Sequence, residues 1–147
     1  MIIRGFAKVN ITLKITGKRA DGYHELDSFM QALPGLYDVL EIAESDKTEI
    51  SCDKEGVPLD GSNLVWKALD LMGKSARVHI AKNIPMAAGL AGGSADAAAA
   101  VYAFLGAGEE GYSVASRLGA DVPFCLYAVQ HQGRAAARCK GIGAILE

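Results

Sequence analysis

The sequence predicts an α+β domain. Strand-type segments with period-two alternation come early, an alanine-rich helix signal dominates the later chain, and no internal repeat or heptad is present. The chain has 147 residues and half of them are apolar, enough for one compact domain with a buried core.

Apolar and polar residues alternate strictly from Ala7 to Ile15. Ala7, Val9, Ile11, Leu13 and Ile15 are therefore expected on one face of a strand, with Lys8, Asn10, Thr12 and Lys14 forming a polar row on the other. The turn-rich stretch from Thr16 to Gly22 follows, and Asp21-Gly22 readily supplies positive φ, so a hairpin-like return into a strand from Tyr23 to Leu33 is expected. Shorter strands are expected at Tyr37 to Ile42, Thr48 to Cys52 and Arg77 to Ala81.

Between the last two, Ser62 is placed to cap a helix. Its apolar residues Leu64, Val65, Ala68, Leu69 and Met72 recur at helical spacing, and Gly73 suits its end. The strongest helix signal runs from Ser94, a capping-type residue, through an alanine-rich segment to Leu105 and closes at Gly106. That composition suits close packing on a sheet. A short helix is expected from Tyr112 to Leu118, and Asp121, just before Val122-Pro123, is a natural N-cap for a further turn of helix.

Charge and composition exclude several classes. The formal net charge is -2, so nothing recommends nucleic acid or an anionic membrane as partner. Cys52, Cys125 and Cys139 are odd in number and widely spaced, unlike a zinc site or redox motif, and fit thiols in a reducing cytosol. No apolar run has the roughly 20 residues of a membrane span, and no signal core follows the N-terminus, so a cytoplasmic location is expected.

The chemistry-bearing segment is Pro85-Met86-Ala87-Ala88-Gly89-Leu90-Ala91-Gly92-Gly93-Ser94-Ala95, which joins a predicted strand to the alanine-rich helix. Glycines let main-chain N–H groups converge without side-chain obstruction, and the helix N-terminus adds unpaired donors and a partial positive charge. The combination is an anion cradle. No Gly-Lys-Ser/Thr follows, and the glycine spacing is not that of a dinucleotide fingerprint, so a third kind of phosphate loop is required. Asp96, one residue further, would repel phosphate unless it points aside or faces a cation. A plain Gly-rich strand-to-helix turn is the alternative that this segment leaves open.

Three segments together carry a family resemblance. The run Ala7-Lys8-Val9-Asn10-Ile11-Thr12-Leu13 with Asp21-Gly22-Tyr23-His24-Glu25-Leu26, the loop from Pro85 to Asp96, and Leu118-Gly119-Ala120-Asp121-Val122-Pro123-Phe124 resemble the 4-diphosphocytidyl-2-C-methyl-D-erythritol kinases, a branch of the GHMP small-molecule kinases. The resemblance implies a GHMP-kinase N-terminal domain of the ribosomal protein S5 domain 2-like fold, with a mixed sheet packed against helices. It further implies γ-phosphoryl transfer from ATP, with Mg2+, to the 2-hydroxyl of a cytidine diphosphate derivative.

Carried over residue by residue, Asp121 would take the acceptor proton and Lys8 would hold charge on the reacting groups. Residues Pro85 to Ala95 would bind the nucleotide, Ser94 the magnesium ion, and Asn10, Tyr23 and His24 the acceptor. Phosphoryl transfer depends mainly on alignment and charge stabilisation, so a lysine, a carboxylate and a donor-rich loop form a sufficient minimum set. Outside such a motif, a strand lysine is ordinarily solvated, a Tyr-His pair is ordinarily packing, and His79, alternating with Val78 and Ile80, belongs on the outer face of its strand.

The sequence also departs from the family. Members are longer and carry a C-terminal domain, so residues 1–147 are expected to form the N-terminal nucleotide-binding domain alone, with an apolar flank that invites a homo-oligomer or partner chain. The stretch from Ala128 to Arg134 replaces a usual Gly-Gly turn, Gln31 to Leu36 is one residue longer, Gly106 to Tyr112 is shorter, and Ala144 stands where glutamate is usual. Three other readings stay open: a nucleotide-binding module without catalysis, a different GHMP kinase, and an RNA-binding domain of related fold.

Overall fold

The computed structural model describes residues 1–18, 24–86, 89–141 and 145–146. Two long antiparallel strands, β1 (Ile2–Lys18) and β2 (His24–Glu44), form its spine. One edge of β2 pairs with β1. The other pairs first with β5 (Ala136–Gly141) and then with β4 (Ala76–Ala81).

The change of partner falls at residues 33–36, which include Pro34, a residue with no N–H to give to a ladder. All four of these residues lie opposite Ala7 alone, because the register passes from Lys8↔Ala32 to Phe6↔Tyr37. Two expected strands are thus one bulged strand. The Asp21-Gly22 turn and Tyr23 lie outside the described residues, and the pair Lys18↔His24 flanks them.

The edge strand β3 (Glu49–Cys52) pairs parallel to β4, and β6 (Ile145–Leu146) pairs antiparallel to β5, so the sheet is mixed. His79 of β4 is half-buried, and its Nδ1 lies 2.8 Å from Ser51 Oγ across the parallel pair.

Strict alternation in β1 is corrected by the structure. Register shifts between Phe6 and Lys8 and between Asn10 and Thr12 reset which side faces the core. Lys8, expected on a polar face, is 4% exposed, while Ile11, expected inside, is 55% exposed.

Among the described residues, four helices cover the sheet: α1 (Leu64–Met72), α2 (Gly92–Leu105), α3 (Glu109–Leu118) and α4 (Val122–Gln130). Helix α2 touches β1 and each of the other three helices, and residues 95–101 are buried without a break. Such all-round burial needs small side chains, which the alanines supply. At Gly5 of β1 a Cβ would come within 2.5 Å of the Ala95 carbonyl oxygen, so glycine lets strand and helix touch main chain to main chain.

The cap of α1 is Asn63 and not Ser62: Asn63 Oδ1 accepts the Val65 N–H at 2.8 Å, while Ser62 bonds to Asp60. Gly73 closes α1 with φ 67° as expected. Helix α3 starts three residues earlier than predicted, with Glu109 and Glu110 suited to its positive end. After α4, Gln132 and Gly133 take φ of 56° and 78°, and the Gly133 N–H bonds to the Ala128 carbonyl at 2.8 Å. The unusual Ala128 to Arg134 stretch therefore ends a helix and turns toward β5.

No helix among the described residues is long and apolar enough to cross a membrane.

Candidate functional site

The loop that follows β4 delivers the chain to α2. Its Gly89 has φ 74° and its Ala91 φ 59°, two left-handed residues that swing the main chain onto the helix axis. Helix α2 begins at Gly92, two residues before the predicted Ser94, and Ala91 at its N-cap makes no side-chain capping bond. The first amides of a helix have no intrahelical acceptor, so Gly92, Gly93 and Ser94 present N–H groups at the positive end of α2. Ala87 and Ala88 lie outside the described residues.

A cleft of about 330 Å³ runs between this loop and the start of α1, walled by Val57, Pro58 and Leu64 and by Met86, Leu90 and Gly93. Lys82 and Asp96 also line it. The Lys82 ammonium donates to Asp38 Oδ2 at 2.7 Å and to Asp96 Oδ2 at 2.9 Å. Asp96 therefore faces a cation, as its place in the first turns of α2 requires. Gly92 packs against the same ammonium: a Cβ there would lie 2.9 Å from Lys82 Nζ and 3.2 Å from Ile84 Cγ2.

Two carboxylates around one ammonium cannot both be comfortable in a buried site. Burial, reinforced by the hydrogen bond and repulsion from Asp38, pushes the Asp96 carboxyl well above the usual range against the pull of Lys82. For Asp38, burial acts upward too, but hydrogen bonds from Asp96, the Ile84 N–H, Lys82 and the Asn83 N–H hold it below. The two carboxylates are thus pushed apart, Asp96 upward and Asp38 downward, around one ammonium. Asp96 Oδ1 is buried and has no hydrogen-bond partner among the described residues.

Beyond the loop, the bulge in β1 frees the Lys8 N–H from the ladder, and it bonds to the Leu90 carbonyl at 3.1 Å. The Lys8 ammonium lies 3.8 Å from Asp121 Oδ2. Asp121 occupies the N-cap position of α4 but makes no side-chain capping bond, so its carboxylate is left for Lys8. Its side chain is 36% exposed against 5% for Lys8, which places the carboxylate at the surface of the site and the ammonium inside.

Among the remaining predicted residues, Asn10 is exposed on β1 and Ser94 is half-buried in the first turn of α2. His24 begins β2, and Tyr23 lies outside the described residues. No group of three or more His, Cys, Asp or Glu residues that could hold a metal ion occurs among the described residues.

Comparison with known proteins decides the lineage. A family model described as the GHMP kinases N-terminal domain matches residues 63–128. A 4-diphosphocytidyl-2-C-methyl-D-erythritol kinase of Thermoanaerobacter pseudethanolicus is 41% identical over 99% of this chain and 52% of its own length. The chain belongs to the GHMP kinase family.

A kinase of the same description from Caldanaerobacter subterraneus subsp. tengcongensis is 44% identical over 84% of this chain and 47% of its own length. A crystal structure of 4-(cytidine 5'-diphospho)-2C-methyl-D-erythritol kinase superposes with a TM-score of 0.76 and 31% identity, covering 100% of this chain and 54% of that one. The mevalonate kinase of Methanococcus jannaschii shares the fold, with a TM-score of 0.59 at 17% identity, over 100% of this chain and 55% of that one. The chain spans about half the length of the curated relatives it matches, 52% and 53% for the first two. These likenesses establish the α+β GHMP fold expected from the sequence.

Sequence reasoning missed Asp38 and Lys82. Both carry a signal in their parity: Asp38 shares the inward side of β2 with Leu40 and Ile42, and Lys82 continues the inward series Ala76, Val78 and Ile80 of β4. A charged residue on an inward-facing position is the observation that would have found them.

Proposed function

We propose that this chain is the nucleotide-binding and catalytic half of a kinase that transfers the γ-phosphoryl group of ATP to the 2-hydroxyl of 4-diphosphocytidyl-2-C-methyl-D-erythritol. The observation that carries this reading is the pairing of Lys8 with Asp121 at 3.8 Å, with the Lys8 main chain bonded to Leu90 of the phosphate loop. The lysine and carboxylate are thereby tied to the loop that carries the main-chain donors.

In this reading the loop from Pro85 to Ala95 wraps the triphosphate, and the amides of Gly92, Gly93 and Ser94 stabilise its charge. The apolar cleft walls formed by Val57, Pro58 and Leu64 take the base. Lys8 balances charge on the γ-phosphoryl oxygens, and Asp121 accepts the proton of the acceptor hydroxyl. A new P–O bond forms to that oxygen, the bond to the β,γ-bridging oxygen breaks, and ADP leaves.

Magnesium would be held by the nucleotide phosphates and the Ser94 hydroxyl, since it is commonly bound by phosphates and a few protein oxygens. When bound it neutralises phosphate charge. Asn10, Tyr23 and His24 are assigned to the cytidine-bearing acceptor, where an aromatic face and an imidazole suit a nucleobase. The assignment places the enzyme in the cytoplasm, in bacterial isoprenoid synthesis.

The test is phosphoryl transfer to this acceptor by the chain, alongside calorimetric titration with ATP. Transfer supports the kinase reading. ATP binding without transfer would make the chain alone a nucleotide-binding module, and absence of both would reject the reading.

A further inference from the structure

Behind the cleft, contributing nothing to its lining, Asp38 is fully buried in β2. Its Oδ1 accepts the N–H groups of Asn83 at 2.7 Å and Ile84 at 2.8 Å, the residues that lead the chain out of β4 toward the phosphate loop. Its Oδ2 accepts from the Lys82 ammonium at 2.7 Å. One carboxylate thus fixes both the main-chain entry to the loop and the cation in the cleft wall.

Stability is a weak reason for such an arrangement. A buried ion pair roughly offsets its own desolvation cost, and apolar replacements of similar volume are often no worse. What the arrangement does supply is orientation. Lys82 has a flexible four-carbon stem and a point charge, so without Asp38 the ammonium would be free to sample other rotamers or withdraw from the cleft. Gly92 lets the ammonium lie close on its own side, since a Cβ there would sit 2.9 Å from it.

We propose that Asp38 is a positioning residue of the nucleotide cleft: it touches no nucleotide, and it sets the affinity for the triphosphate by fixing the Lys82 ammonium and the course of the chain into the loop. The inference rests on the nucleotide-binding reading of the cleft and goes beyond it in assigning a determinant outside the cleft. Asp96 is the second carboxylate on the same ammonium, and the two differ in what they hold. Asp38 anchors the main chain and supplies the counter-charge, whereas Asp96 has, among the described residues, the ammonium alone as a donor.

The test compares Asp38→Asn with Asp96→Asn in the whole chain, by calorimetric titration with ATP. Asparagine at position 38 keeps an acceptor for the two amides but turns an NH2 group on Lys82 and removes its counter-charge. The expected result is ATP affinity at least about tenfold weaker for Asp38→Asn than for wild type, and a smaller loss for Asp96→Asn. Ile80→Val, a core change outside the cleft, separates positioning from stability: it lowers the melting temperature and leaves ATP affinity unchanged.

Affinity for ATP in Asp38→Asn equal to that of wild type, or a loss matched by Ile80→Val at similar melting temperature, would overturn the proposal. Should Asp38→Asn not fold, hydrogen exchange of the wild-type Asn83 and Ile84 amides decides. Saturating ATP is expected to slow both by at least about tenfold, and unchanged rates would overturn it. Wild type that binds no ATP would instead sink the nucleotide reading, and this inference with it.

Discussion

The Lys8 ammonium, buried in β1, stands 3.8 Å from the carboxylate of Asp121 at the start of α4, although the two belong to opposite ends of the domain's sequence. That separation is longer than the 2.7–3.2 Å of a well-formed N–H···O bond. The two charges are near enough to act on the same reacting group and loose enough to exchange their contact for a substrate. Lys8→Ala and Asp121→Asn are each expected to lower turnover by at least about tenfold with a smaller change in nucleotide affinity. Steady-state phosphoryl transfer with calorimetric ATP titration checks this, and equal rates for wild type and both variants would reject the assigned roles.

Gly92 has no space for a side chain. A methyl group there meets the Lys82 ammonium at 2.9 Å and Ile84 Cγ2 at 3.2 Å, so Gly92→Ala must displace the lysine or the start of α2. The expected outcome is at least about tenfold weaker ATP binding and a stability loss of about 1–3 kcal/mol, read by titration and by denaturant unfolding.

At Gly5 the obstacle is main chain. Gly5→Ala would place a Cβ 2.5 Å from the Ala95 carbonyl oxygen, which cannot rotate away. Separation of β1 from α2 is expected to cost about 1–3 kcal/mol or more, measured by denaturant unfolding. A variant as stable as wild type would show that the contact is not tight.

The Asp96 carboxyl gives stability a pH dependence. Its protonation is favoured in the folded protein, through burial first and then Asp38, so between the ordinary value of 3.8 and its raised value the folded state binds more protons than the unfolded one. Stability contributed by this group is therefore complete below about pH 4 and is lost as pH rises through the raised value. Asp96→Asn removes the titration. The melting temperature of wild type is expected to fall relative to that of Asp96→Asn as pH rises from about 4 toward neutrality; a constant difference would contradict the assigned direction.

Much of this architecture is legible in the residues. Gly73 ends α1 as its left-handed preference dictates, the alanine run makes α2, and the glycines after Pro85 mark the loop. Alternation misplaced Lys8 and Ile11 because β-bulges change the inward face without changing the polarity pattern. The strands expected at Tyr23 to Leu33 and at Tyr37 to Ile42 are one, because β2 continues through Pro34 by exchanging one partner for another. The helix after Asp121 was underread, since Val122 to Gln130 is apolar nearly all round and shows no amphipathic period. The inward positions of Asp38 and Lys82 are legible strand by strand, but their meeting with Asp96 depends on contacts between three elements.

The most direct test of the account is the structure of this chain with a non-hydrolysable ATP analogue and magnesium. The account predicts phosphate oxygens within hydrogen-bond reach of the Gly92, Gly93 and Ser94 amides, and a terminal phosphate facing Lys8 and Asp121. A nucleotide bound away from the start of α2, or a terminal phosphate pointing away from the Lys8–Asp121 pair, would contradict it.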